Sequence, residues 1–194
     1  MLRLFNKLKE LEALPQDWGR SVVVNLYKDG EHTDPGNYRG ISLISCLGKL
    51  YLGLWARRVT RFFEDHLSEG QGGFRPRRST MDQILTLDEV LLRRQRNLQP
   101  MYLYFVDFRK AFDTVWHDGL WKRLWDSGVK GKAWRIIRSL YKSIELSVLV
   151  GRTQTRWVRS HQGVRQGCPL SPVLFNCFID ELSKQLGRRA TGLR

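Results

Sequence analysis

Leu2, Phe5, Leu8, Leu11 and Leu14 recur at the spacing of one apolar helical face, and Pro15 predicts where that helix ends. Residues 21–26 (SVVVNL) are a β-branched run and predict a strand. The turn-rich stretch from Lys28-Asp29-Gly30 to Asp34-Pro35-Gly36-Asn37 reads as a hairpin-like loop, with 41–44 a short strand able to pair behind it. Leu47, Leu50, Leu54, Phe62 and Phe63 mark a longer helix whose polar side carries Arg57, Arg58 and Arg61, and which dissolves over 69–73. Ser79 with Asp82 reads as a capping box. The helix it opens is expected to turn Ile84, Leu87, Val90 and Leu91 inward and to fray into Arg93, Arg94 and Arg96. Two helical patterns follow, over 120–125 and 134–141. Ile144, Leu146, Val148 and Val150 then alternate, as do Thr153, Thr155 and Trp157, and Gly151-Arg152 between them predicts a hairpin. Phe175, Phe178, Ile179, Leu182 and Leu186 form the stripe of a closing helix, with Pro169 and Pro172 seeding its start.

The segment 102–106 (YLYFV) is a continuous apolar run, the pattern of a strand buried on both faces. It ends in Asp107. A carboxylate there is costly to desolvate unless something positive meets it, and a divalent metal ion served also by a backbone carbonyl is one answer. Capping of the following turn is the other. The mixed order of helices and strands argues against a simple βα repeat.

Charge changes the picture most. Lys plus Arg number 33 against 19 Asp plus Glu, a formal net charge of +14. Such an excess points to a polyanionic partner held by phosphate neutralisation. The cations cluster as Arg57, Arg58 and Arg61; Arg75, Arg77 and Arg78; Arg93, Arg94 and Arg96; and Arg188 and Arg189. Some of the seven tryptophans, six tyrosines and nine phenylalanines are available to stack on bases. Cys46, Cys168 and Cys177 are an odd number without CxxC spacing, so neither a disulfide framework nor a zinc site is indicated. The four histidines fit no zinc pattern either. The N-terminus lacks the apolar core and cleavage site of a signal peptide, and no apolar run approaches transmembrane length, so no membrane partner is expected.

Four segments stand in order along the chain: NYRGISL (37–43), QGGFRPRRSTMDQ (71–83), FVDFRKAFDTV (105–115) and GVRQGCPLSPVLFN (163–176). Phosphoryl transfer needs divalent metal, cations along the triphosphate and a shaped seat for the nucleotide, and these segments contain candidates for all three. In this combination the sequence resembles the reverse transcriptase domain of non-LTR (LINE-like) retrotransposons, from about residue 14 to 186. That resemblance implies RNA-templated DNA synthesis, with an RNA template, a DNA primer, deoxynucleoside triphosphates and magnesium as partners. It implies that Asp107 is the first metal-binding carboxylate, with the Phe108 carbonyl serving the same ion. Ala111 and Phe112 would meet the nucleotide, Phe112 as the steric gate against a ribose 2′-hydroxyl, although taken alone Phe112 reads as core. Asp113 is more readily structural. Lys28 and Arg39 match the triphosphate contacts, with Arg39 suited by its planar fork. Gln166 and Gly167 match the turn beside nucleotide and template. Arg75 and Arg78 would touch template backbone, or else Asp82 and its helix start.

The implied fold is α+β, the fingers and an incomplete palm of a right-hand polymerase, a partial ferredoxin-like sheet with helices and no thumb. Fingers would comprise about 1–100 and 118–160, and palm about 101–117 and 161–194. One departure matters. The family's aromatic-Ala-Asp-Asp hairpin is not found, for the chain has no Asp-Asp pair, and Asp180-Glu181 is expected on the polar face of the closing helix. Two-metal displacement needs more than one carboxylate. The expectation is therefore a truncated domain, catalytically incompetent alone, with an unpaired sheet edge. A non-enzymatic basic RNA- or DNA-binding remnant is the alternative. The basic clusters are too scattered for a nuclear address, and localisation between cytoplasm and nucleus stays open.

Overall fold

The protein, as a computed structural model, is described over residues 1–142 and 144–189, without the side chains of Arg188 and Arg189. The side chains of that basic pair, and residues 190–194 of the expected palm segment, lie outside what the structure describes. Helix α1 (Leu2–Leu11) ends earlier than Pro15 implies, because Glu12 turns into the left-handed region at φ 53° and its carboxylate reaches Arg135 as a forked ion pair. The short α2 (Gln16–Gly19) seats Trp18 in the core. Strand β1 (Arg20–Tyr27) and β2 (Tyr38–Leu43) form an antiparallel hairpin with Val24 opposite Ile41 and Leu26 opposite Arg39. The Asp34 carboxylate tightens its loop by accepting from the Gly36 amide at 2.7 Å.

Helix α3 (Cys46–Glu64) starts on the Ser45 hydroxyl and buries Tyr51, Leu52, Trp55, Val59 and Phe63 on one face. Helices α5 (His117–Asp126), α6 (Gly131–Tyr141) and α7 (Ser171–Arg189) add Leu120, Leu124, Ile136, Ile137, Leu140 and Leu174, each all but sealed from solvent. Burial of this kind is worth about 1.5–3 kcal/mol per large aliphatic side chain. Strand β3 (Glu145–Val150) lies parallel to β1, Val23 opposite Val148. Strands β4 (Thr153–Gln154) and β5 (Val158–Arg159) both pair antiparallel with β3. The sheet order is β2-β1-β3-β4, a small mixed sheet in an α+β molecule. Between β4 and β5 the expected alternation breaks, since Thr155 offers its own hydroxyl to the Val148 amide at 2.9 Å and interrupts the ladder. Among the described residues no helix is long and apolar enough to cross a membrane.

Three expectations are corrected. Residues 102–106 form no strand, and Tyr102 and Tyr104 are more than nine-tenths exposed. An apolar run becomes a buried strand only where neighbours satisfy its amides and cover both faces. Both edges of β1 are already taken, by β2 and β3, and among the described residues nothing pairs with 102–106. Consequently, among the described residues, the five strands all come from segments assigned to the fingers, and the palm segments contribute to β-pairing only the isolated bridge Trp116–Gln162. Helix α4 (Thr80–Arg96) keeps its capping box, with Ser79 and Asp82 exchanging hydrogen bonds of 3.2 and 2.7 Å, but it buries no side chain. Ile84 and Leu91 are exposed rather than inward, and Leu87 and Val90 are only half-buried, because no extensive packing covers the stripe among the described residues. Finally, Asp180 does not sit on a polar face. It is buried and accepts from the Ser68 amide and hydroxyl, both at 2.8 Å, and from Lys184 at 2.6 Å, fastening α7 to the loop after α3.

Candidate functional site

Residues from four separate stretches of chain line one cleft of about 830 Å³. The β1–β2 hairpin brings Lys28 and Arg39 to it: Arg39 lies in β2 and Lys28 one residue beyond β1, where its amide bonds the Asn37 carbonyl at 2.9 Å. Pairing the strands thus places two exposed cations from different strands at one wall.

The second wall is the loop 107–113, carrying Asp107, Phe108, Ala111, Phe112 and Asp113. Lys110 takes a positive φ of 51°, and its carbonyl accepts from the Asp113 and Thr114 amides, curling the chain back. The Phe112 and Gly163 backbones are then fixed by Val164 donating to the Phe112 carbonyl at 2.7 Å and Gly163 to that of Val115 at 2.8 Å. Phe112 stacks on Phe175 of α7, centroids 5.0 Å apart, and meets Phe74 edge-on at 5.7 Å. Phe112 therefore packs against the core and also lines the cleft.

The third wall is the turn before α7. The Gln166 carbonyl accepts from the Ser42 amide of β2 at 2.8 Å, and the Gln166 side-chain amide donates to Asp113 at 3.1 Å. Gly167 follows at φ 109°, and a Cβ there would stand 2.8 Å from the Ser42 carbonyl oxygen. Only glycine fits that close approach of turn to strand. Buried Arg165 holds the other end, donating to the Trp18 carbonyl at 2.8 Å. One turn thereby ties the hairpin, the Asp107 loop and α7 together.

Arg75 and Arg78 fall elsewhere. Arg75 is buried and spends its guanidinium on Glu64 and on the Ser68 and Gln71 carbonyls, so it braces the loop after α3 and has no open face. Arg78 pairs with Glu69 at 2.7 Å, which holds the Glu69 carboxyl below its usual range. Neither arginine bonds Asp82, whose carboxylate instead serves the Ser79 amide. Phe74, Arg109 and Lys110 also line the cleft, and sequence reasoning does not single them out. Their position inside two of the four motif blocks is the available signal. His117, one of the four histidines, is partly buried with Nε2 2.8 Å from the Gly163 carbonyl.

Magnesium takes near-octahedral oxygen ligation. The cleft offers the Asp107 carboxylate, the Phe108 carbonyl and an Asp113 carboxylate already engaged by Gln166. Among the described residues no three His, Cys, Asp or Glu side chains gather as a metal group. The donor set present does not fit a pair of ions.

Comparison with known proteins puts this arrangement in context. The profile described as reverse transcriptase (RNA-dependent DNA polymerase) matches residues 27–193. The chain is 32% identical over 170 residues to a retrovirus-related Pol polyprotein from type-1 retrotransposable element R2 of Popillia japonica, covering 87% of this chain and 24% of the relative. It is 29% identical over 185 residues to a probable RNA-directed DNA polymerase from transposon BS of Drosophila melanogaster, covering 92% and 20% respectively. The RNA-directed DNA polymerase from mobile element jockey of the same species is 26% identical over 185 residues, again 92% of this chain and 20% of the relative. The chain thus spans a fifth to a quarter of the length of these curated relatives. With four motif blocks in order along the chain, each contributing at least one residue to the same cleft, and a profile match over most of its length, the chain belongs to the reverse transcriptase (RNA-dependent DNA polymerase) family of non-LTR retrotransposons.

Proposed function

We propose that the cleft seats an incoming deoxynucleoside triphosphate for RNA-directed DNA synthesis on an RNA template and DNA primer. The carrying observation is that Lys28, Arg39, Asp107, Phe108, Ala111, Phe112, Gln166 and Gly167 line the same 830 Å³ space. Lys28 and Arg39 neutralise phosphate oxygens from one side, the arginine by a two-pronged contact. The Phe112 ring, held by Phe175 and Phe74, bars a 2′-hydroxyl. The Gln166–Gly167 turn lets the nucleotide approach backbone that no side chain shields. In this reading residues 1–100 and 118–160 are fingers, and 101–117 and 161–194 palm. Magnesium, when bound, would supply charge neutralisation at the reacting phosphate. Asp107 offers it one carboxylate and Phe108 a carbonyl, a set the described residues leave incomplete, so this chain alone binds nucleotide without joining it to a primer.

Calorimetric titration with dTTP tests the seat. Arg39→Ala should weaken binding by about tenfold to a hundredfold, the effect of one charge-assisted contact worth roughly 1.5–3 kcal/mol. Unchanged affinity would sink the assignment. Extension of oligo(dT) on poly(rA) with magnesium tests the rest. Incorporation that disappears in Asp107→Ala would overturn the claim of inactivity while leaving the seat intact.

A further inference from the structure

A second cleft, of about 350 Å³, lies on surface that shares no residue with the nucleotide cleft. Arg138 and Lys142, at the end of α6, and Arg159 of β5 line it together with His161, against one carboxylate, Asp118. Among the described residues none of these three cations is paired with a carboxylate. Arg138 is nonetheless held, its guanidinium 4.9 Å from the Trp134 ring centre, and Arg159 is held by donating to the Lys142 carbonyl at 2.6 Å. Ordered cations without acids describe a surface made for an external anion.

Trp116 supplies the other half. It lines the same cleft and is 62% exposed, yet it is not loose. Its ring lies so close over Gly119 that a Cβ there would stand 2.6 Å away, and its backbone bridges to Gln162. The Cε3–Cζ3 edge of the ring therefore lies against α5 while much of the indole remains open. A large aromatic fixed beside unpaired cations is the arrangement that binds single-stranded nucleic acid, the base on the ring and the backbone on the charges. The volume suits a nucleotide unit rather than a duplex.

We propose that the Trp116–Arg138–Arg159 cleft is a contact site for single-stranded nucleic acid, separate from the nucleotide cleft, reading backbone charge and a stacked base without sequence preference. The chain 107–118 lines the nucleotide cleft at one end and this cleft at the other, so a strand held here is positioned near the proposed catalytic face.

Anisotropy of a short labelled oligo(dT), in buffer without magnesium or nucleotide, tests this on the full chain. Trp116→Ala should weaken binding by about tenfold, and Trp116→Phe should keep most of it, from the worth of one stacked base. The double variant Arg138→Gln with Arg159→Gln should lower the salt slope of log K by about 1.4, at roughly 0.7 for each phosphate that is no longer neutralised. Titration with dTTP should be unchanged in all three. The same affinity and slope in the double variant would overturn the proposal, whatever Trp116→Ala does. So would disappearance of oligonucleotide binding in Arg39→Ala alone, which would place the strand in the nucleotide cleft. Failure of dTTP binding with oligonucleotide binding intact would instead count against the nucleotide seat.

Discussion

Gly167 shows how much one side chain's absence can hold. Its φ of 109° is open to glycine and strained for other residues, and the space where a Cβ would sit is occupied by the Ser42 carbonyl at 2.8 Å. The strand cannot step aside cheaply, because the Ser42 amide is bonded to the Gln166 carbonyl. Gly167→Ala should therefore cost about 1–3 kcal/mol, lowering Tm by several degrees, and should weaken dTTP binding beyond that of Gly187→Ala, where a Cβ meets nothing. Asp180 makes a different prediction. Burial opposes its ionisation, but the Lys184 ammonium and the two Ser68 donors outweigh burial, and its carboxyl sits below the ordinary 3.8. A carboxyl whose folded value is depressed adds stability that is complete above the unfolded value and fades as pH falls through the folded one. Wild type should melt above Asp180→Asn at pH 7, by an amount equivalent to about 1–3 kcal/mol, and the gap should close below about pH 3.8. A gap that persists at low pH would show the effect to be steric. The motif blocks lead from sequence to the cleft that Arg39, Asp107 and Gln166 line, but the role of Arg75, inside one of those blocks, is not legible. A guanidinium that braces its own loop reads the same in sequence as one that awaits phosphate.

At the scale of elements, legibility follows whether an element's reasons are local. The β1–β2 hairpin is readable because a β-branched run, a turn-rich loop and a return strand are adjacent in sequence, and the Ser79–Asp82 box because its two halves are three residues apart. The exposure of 102–106 and of the α4 stripe is not readable, since burial depends on partners elsewhere, and none among the described residues supplies it. The break after Gln154 is hidden for a subtler reason: Thr155 fits the alternation, but its hydroxyl competes for the ladder amide. Helix α4 consequently rests on its cap. Ser79→Ala should remove about 1 kcal/mol from the helix and leave global Tm nearly unchanged, because α4 contributes no buried side chain. By contrast, Leu174→Ala in α7 should cost about 2–5 kcal/mol of global stability. Hydrogen exchange separates the two: amides of α4 should open at far lower free energy than those of α7, and equal protection would mean that α4 is packed in solution.

For the whole molecule, two surface properties oppose one another. The net charge of +14 pushes copies apart, while Ile84 and Leu85 on α4 and Tyr102, Tyr104, Phe105 and Val106 beyond it leave large apolar side chains in water. Salt acts on both in the same direction. It screens repulsion between exposed charges, with a Debye length of about 10 Å at 0.1 M and about 3 Å at 1 M. Excluded salts such as sulfate also strengthen apolar association. Nucleic-acid binding by this basic surface should weaken as salt rises. Self-association through the exposed apolar segments should strengthen over the same range. Light scattering of the chain in rising sodium sulfate should therefore show growth in mean mass. Phe105→Asp with Leu85→Glu should suppress that growth without altering oligonucleotide affinity beyond the small change in charge. A chain that stays monomeric at high salt would mean that these side chains are covered in solution, and residues 102–108 would then have to follow a different, buried course.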